Sequence, residues 1–224
     1  MGWCVMRNAE KDAAARAAKR EKMLETGFRI FSDQVVEAVS MQEIATACGL
    51  GVATLYRYFN TKLSLVIAIG IRQWEIYYEE VEELYRRRGG ERFTAAEEFE
   101  FYLDCYVRLY QEHKNLLRFN RNFVTYVRHE SATVEQMQRY NDIVSVFAKK
   151  FHVLYLKAEK DGTLRTDIPE DKLFVSTMHT MLSVAGKYAE GFVYPDNGNR
   201  DMTEELVMLK DMILKTYTKE GGNR

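Results

Sequence analysis

The chain has 224 residues, of which 46% are apolar, 29% charged and 12% aromatic. That much apolar surface excludes a disordered chain and a mini-protein that needs staples, and allows one or two domains. The net charge of -1 excludes a molecule that is a polycation throughout, so any nucleic-acid role has to come from local charge.

Three cysteines, Cys4, Cys48 and Cys105, are odd in number and far apart, so neither a disulfide framework nor a thiolate zinc site is expected. The opening MGWCVMRN lacks a long apolar region of the secretory kind. The longest stretch without a charge runs from Leu173 to Gly186, short of the roughly 18 to 20 residues that span a bilayer. The expectation is a soluble cytoplasmic protein with no membrane partner. Only Pro169 and Pro195 interrupt the chain, which permits long helices.

Residues 1–19 are polar, Ala-rich and charged and are expected to form a frayed arm. Leu24, Phe28 and Phe31 then follow the i, i+4, i+7 spacing of one helix face, with Gly27 inside it. Ser40-Met41-Gln42-Glu43 has the capping-box pattern and opens a short helix through Ile44, Ala45 and Cys48. Gly49-Leu50-Gly51 breaks it. A second short helix is expected from Val52 to Phe59, ended by Asn60-Thr61, and a long one from about Lys62 to Arg88.

A second capping box, Thr94-x-x-Glu97, opens a helix with Phe99, Tyr102, Tyr106 and Leu109 on one face. Further helices are expected at about Lys114–Arg128, from Thr133 to Asp161, from Pro169 to about Phe192, and beyond a loop at Pro195-Asp196-Asn197-Gly198. No strand alternation flanked by turns occurs. The fold class read from this is all-α: an N-terminal three-helix unit (residues 1–66, including the arm) followed by a larger helical bundle (residues 67–224).

Ser40 to Lys62 carries the chemistry. Two short helices joined by a glycine turn make a helix-turn-helix, whose second helix can project into the major groove. On a wheel of 100° per residue Leu55 and Phe59 point inward. Ala53 and Arg57 point outward, with Thr54 and Tyr56 on the flanks. Thr54, Tyr56 and Lys62 suit phosphate, and Arg57 suits phosphate or guanine. On spacing alone the same pair is equally an ordinary helical hairpin with a solvated outer face.

The residues Met23-Leu24-x-x-Gly27-Phe28-x-x-Phe31, then Ser40-Met41-x-x-Ile44-Ala45-x-x-Cys48-Gly49-Leu50-Gly51-x-Ala53-Thr54-Leu55-Tyr56-x-Tyr58-Phe59-x-x-Lys62-x-x-Leu65, resemble the N-terminal domain of TetR-type transcriptional regulators. The resemblance covers about residues 20–66. It implies an all-helical homodimer that binds a palindromic operator on double-stranded DNA, with a C-terminal domain that dimerises and takes a small effector. Effector binding usually releases the DNA. Gln42, Val52, Ala53, Thr54, Tyr56, Arg57, Tyr58 and Lys62 fall where such proteins touch DNA. Three departures stand out: Val35 where glycine is usual, Gly27 where alanine is usual, and Gly51 where serine is frequent. Val52 and Ala53 offer contact to thymine methyls but no hydrogen-bond readout.

Residues 1–62 carry 9 basic and 7 acidic side chains, and residues 63–224 carry 23 and 26. This asymmetry suits a reading head turned toward phosphate, with Arg7, Lys11, Arg16, Lys19 and Arg20 added by the arm. The C-terminal region has no catalytic motif. His113, His129, His152 and His179 are far apart without metal-ligand spacing, so no metal and no cofactor are expected. Its aromatic and Met-rich faces offer Tyr102, Tyr106, Phe123, Tyr126, Phe147, Met178 and His179 as an effector lining, or as plain core. The last two helices offer Phe174, Met181, Ala185, Tyr188, Leu206, Leu209 and Ile213 as a dimer interface, or as monomer core. An all-helical enzyme or ligand carrier, and a helical interaction protein, are the rival readings.

Overall fold

A computed structural model describes residues 2–191 and 200–219, with side chains from residue 11 onward. Among these residues the secondary structure is helical apart from one isolated bridge between Leu164 and Thr218. The helices are α1 Gly2–Asp33, α2 Met41–Ala47, α3 Val52–Tyr58, α4 Lys62–Arg87, α5 Ala95–Glu112, α6 Lys114–His129, α7 Val134–Asp161, α8 Glu170–Glu190 and α9 Thr203–Tyr217. The expected loop at Pro195-Asp196-Asn197-Gly198 and the expected helix end at Phe192 lie outside the described residues.

One expectation is corrected outright. The N-terminal arm is not frayed, because α1 runs unbroken from Gly2. The run Ala13-Ala14-Ala15-Arg16-Ala17-Ala18 consists of the strongest helix formers and has no breaker, so helix already formed at Leu24 and Phe31 propagates backward through it.

The chain divides into two compact units. The first joins Met1–Gln73 with Phe119–Gln138, and the second joins Trp74–Arg118 with Arg139–Arg224. The N-terminal unit therefore takes a piece of α6 and the start of α7 from far along the sequence.

In the first unit α1 buries Met23, Leu24 and Phe31. At Gly27 a Cβ would lie 2.6 Å from the Cδ1 of Ile69, so glycine lets α1 approach α4 closely. Both residues of the first capping box act as the pattern predicts. Ser40 Oγ accepts from the Glu43 amide, and the Glu43 carboxylate accepts from the Ser40 amide at 2.6 Å. The Ser40 hydroxyl also donates to that carboxylate at 2.7 Å, and this bond first, the one from the Ser40 amide second, holds the Glu43 carboxyl below its ordinary pKa. The helix then stops in a left-handed turn. Gly49 has φ +69°, its amide donates to Thr46 O, and the Leu50 amide donates to Ala45 O at 2.9 Å. No atom lies within 4 Å of a Cβ built at Gly49, so Gly49→Ala tests the backbone alone. It is expected to cost about 1 to 2 kcal/mol in urea unfolding, with the helical far-ultraviolet signal retained.

In the second unit α5 packs against α8 and α9. Thr94 and Glu97 close the second capping box, and Leu103, Leu109, Met181, Ala185 and Leu206 are buried. Tyr110 is buried too, and its hydroxyl accepts from the Met202 amide at 3.0 Å. Pro169 stands at the N-cap of α8, one residue ahead of the first helical turn.

Candidate nucleic-acid interface

The second short helix, α3, is seven residues long and is held by its inner side. Leu55 is fully buried and Phe59, its C-cap, is 4% exposed. Ile44 and Ala45 of α2 and its C-cap Cys48 are buried as well, and α2 packs on α3. A helix this short has little stability of its own, so this packing fixes which way its other side faces. Gly51 caps it in extended backbone, without a side-chain bond.

The outward side is built as the helical wheel predicts. Ala53, Tyr56 and Arg57 are exposed; Val52, Thr54 and Tyr58 are half-buried at its flanks. Gln42 is exposed on α2, its amide donating to Thr46 Oγ1 at 3.3 Å. A small residue at 53 lets the helix axis come close to a surface, while the guanidinium and phenol reach outward from it. That combination suits a groove with phosphate walls.

Lys62 sits at the first position of α4. The preceding Thr61 accepts the Ser64 amide on its Oγ1 at 3.0 Å, which fixes where the helix begins. The Lys62 side chain is half-buried. Its Nζ donates to the Glu37 carbonyl at 3.4 Å and lies 5.4 Å from the centroid of the Tyr126 ring. Partial burial lowers its pKa, opposed by the charges of Glu37, Glu130 and Glu43. Upstream, the Arg20 guanidinium lies 5.5 Å over the Phe59 ring, and Lys11, Arg16 and Lys19 are exposed along α1.

The expected effector residues divide between the two units. Phe123 and Tyr126 belong to the first and are buried there, Phe123 beside Phe119 and Tyr126 beneath Lys62. In the second unit Tyr102 stacks on Tyr85, with ring centroids 6.4 Å apart, and Phe147 packs edge-on against Trp74 and Tyr78. Tyr106 and Met178 are half-buried, and His179 is exposed on α8. Burial pushes the Tyr106 phenol above its ordinary pKa.

The expected dimer residues divide too. Met181, Ala185 and Leu206 are buried within the single chain, so they cannot be a surface. Phe174, Tyr188, Leu209 and Ile213 are half-buried. The outward apolar residues of α8 and α9 are instead Val175, Val207, Met208 and Met212, the last two each 65% exposed.

Two polar residues that residue patterns had passed over are central. Asn122 is 4% exposed and donates through Nδ2 to the carbonyls of Phe31 at 2.8 Å and Gln34 at 3.1 Å. Glu98 is 3% exposed and meets the Lys157 ammonium and the Tyr102 hydroxyl. Each sits on an apolar stripe, Asn122 on that of Phe119, Phe123 and Tyr126, and Glu98 on that of Ala95, Phe99 and Tyr102. A polar residue in a core register is the signal that would have found them.

Residues 23–69 match the family described as bacterial regulatory proteins, tetR family. Over 102 residues the chain is 28% identical to HTH-type transcriptional regulator SAR2658 of Staphylococcus aureus, covering 44% of this chain and 51% of that protein. Over 71 residues it is 32% identical to HTH-type transcriptional repressor KstR of Mycolicibacterium smegmatis, covering 32% of this chain and 35% of that protein. The match thus spans about half or less of these relatives. The fold extends further. A solved structure described as a transcriptional regulator from Saccharomonospora viridis in complex with choline superposes with a TM-score of 0.72 over 91% of this chain and 100% of its own, at 16% identity. Among the described residues no helix is long and apolar enough to cross a membrane. Residues 23–69, which hold the capped α2, the glycine turn and the outward face of α3, are thus similar to the N-terminal domain of the tetR family of bacterial regulatory proteins.

Proposed function

We propose that the protein is a transcriptional repressor that binds a palindromic operator as a homodimer and leaves it when a small, largely apolar or aromatic effector binds. The observation that carries this reading is the outward face of α3. Ala53, Tyr56 and Arg57 stay exposed on a helix whose other side is fully committed to the core, with Lys62 at the start of the next helix. Gln42, Val52, Thr54 and Tyr58 complete the contact set. The relative named as a repressor supports repression over activation.

The C-terminal residues from 67 onward supply the other two roles. Aromatic rings gather around Trp74, Tyr78 and Phe147 and around Tyr85, Phe101 and Tyr102. Such rings suit an apolar or aromatic effector. Val175, Val207, Met208 and Met212 leave apolar surface on α8 and α9 for a second copy to cover. In a dimer two recognition helices would meet successive major grooves, about one DNA turn apart or a multiple of it. An effector that favours a different spacing shifts the population off DNA, by its differential affinity alone.

Fluorescence anisotropy with labelled genomic DNA fragments tests the reading. Saturable binding to a subset of fragments is expected. Ligand binding or turnover without DNA affinity would replace it with the enzyme or carrier reading, and neither activity with the interaction-protein reading.

A further inference from the structure

Tyr126 is placed for a different task from lining a pocket. It is 4% exposed on the part of α6 that belongs to the first unit, and its ring faces the Lys62 ammonium at 5.4 Å. That segment of α6 is anchored twice. Asn122 bonds the Phe31 and Gln34 carbonyls at the end of α1, and Phe119 meets Phe28 edge-on at 5.5 Å. The ring is therefore fixed relative to the end of α1, and the lysine is fixed relative to the start of α4 by the Thr61–Ser64 cap.

We propose that Tyr126 is a positioning residue for DNA binding: its ring holds the Lys62 ammonium at the start of α4, ready for a backbone phosphate. The proposal rests on the regulator reading above. A ring face attracts a cation without using any of its N–H donors. The Glu37 carbonyl takes one of the three, so two remain for phosphate oxygens. A free lysine has many rotamers and loses them on binding; one already held has less to lose.

The full-length chain is assayed as wild type, Tyr126→Phe, Tyr126→Leu, Lys62→Ala and the Leu/Ala double variant. The probes are a genomic duplex recovered with the wild type and a scrambled duplex of equal length. Tyr126→Phe keeps the ring and is expected to bind within about twofold of wild type. Tyr126→Leu is expected to bind about three- to tenfold more weakly, and to add no further loss once Lys62 is alanine. Tyr126→Met takes the place of Tyr126→Leu if the latter melts below the assay temperature. Additive losses would reduce Tyr126 to plain core. Tighter binding by Tyr126→Leu would mean that the ring withholds the lysine, which equally overturns the proposal. Melting temperatures of the same four variants without DNA separate the contact from the function. Coupling there with no DNA binding by wild type keeps the contact and removes the regulator reading, and absent coupling removes the contact itself.

Discussion

Lys157→Met is expected to lower the unfolding free energy by about 3 kcal/mol, the lower end of what breaking a buried ion pair costs. Glu98 stands one turn into α5 and is 3% exposed, and the Lys157 ammonium from α7 forms an ion pair with it. The second partner, the Tyr102 hydroxyl at 3.4 Å, is neutral. Burial first, and the Glu98 charge second, push that phenol well above its ordinary pKa, so it remains a donor at neutral pH. Without the ammonium the carboxylate stays buried with the neutral phenols of Tyr102 and Tyr85 as its hydrogen-bond donors. The Lys157 side chain itself keeps 28% of its exposure, so water can partly replace it, which favours the lower figure. Glu98→Gln combined with Lys157→Met removes both charges and keeps a partner for Tyr102. It is expected to recover most of the loss. Urea unfolding of the three variants decides the matter, and a double variant no better than Lys157→Met would show that the pair is not the source.

The elements were legible where local chemistry sets them. The two capping boxes at Ser40 and Thr94, and Gly49 after α2, each fix a helix end within a few residues, so no distant information is needed. The inner and outer sides of α3 were legible for a related reason: seven residues with Leu55 as the inward anchor and Phe59 at the C-cap permit one orientation. The extent of α1 was not, because composition alone made residues 1–19 look like a polar tail, while helix propagation from Met23 and Leu24 needs no apolar face.

Orientation was not legible where apolar residues fall on more than one side of a helix. On α8 and α9 nearly every side could be the inner one, so Met181, Ala185 and Leu206 were indistinguishable by pattern from Val175, Met208 and Met212. Where α6 belongs was not legible for another reason. Phe123 and Tyr126 have the spacing of any buried helix face, and periodicity says that a face is covered without saying by what. Long-range contacts tie it to the first unit: the bonds of Asn122 to Phe31 and Gln34, about ninety positions earlier in sequence, the Phe119 ring on Phe28 and the Tyr126 ring beneath Lys62.

Arg57→Ala is expected to weaken binding to the recovered genomic duplex by about five- to 150-fold, since a guanidinium on guanine or phosphate contributes roughly 1 to 3 kcal/mol. Arg57 lies two residues from the buried Leu55, which on a helix is the opposite side, and it is exposed beside Tyr56. Truncating an exposed side chain there removes no core contact, so the melting temperature should stay within a degree or two of wild type. Salt titration then identifies what the guanidinium touches. A phosphate contact releases counterions, so its loss flattens the dependence of log affinity on log salt by about 0.9 and weakens specific and scrambled duplexes alike. A guanine contact leaves the slope and erodes the preference for the specific duplex. Lys62→Ala is expected to take the first course, because an ammonium at the start of α4 acts as a point charge without the planar fork that reads a base. If both substitutions leave the affinity and the slope unchanged, the outward face of α3 is not what meets DNA, whatever the family of the domain that carries it.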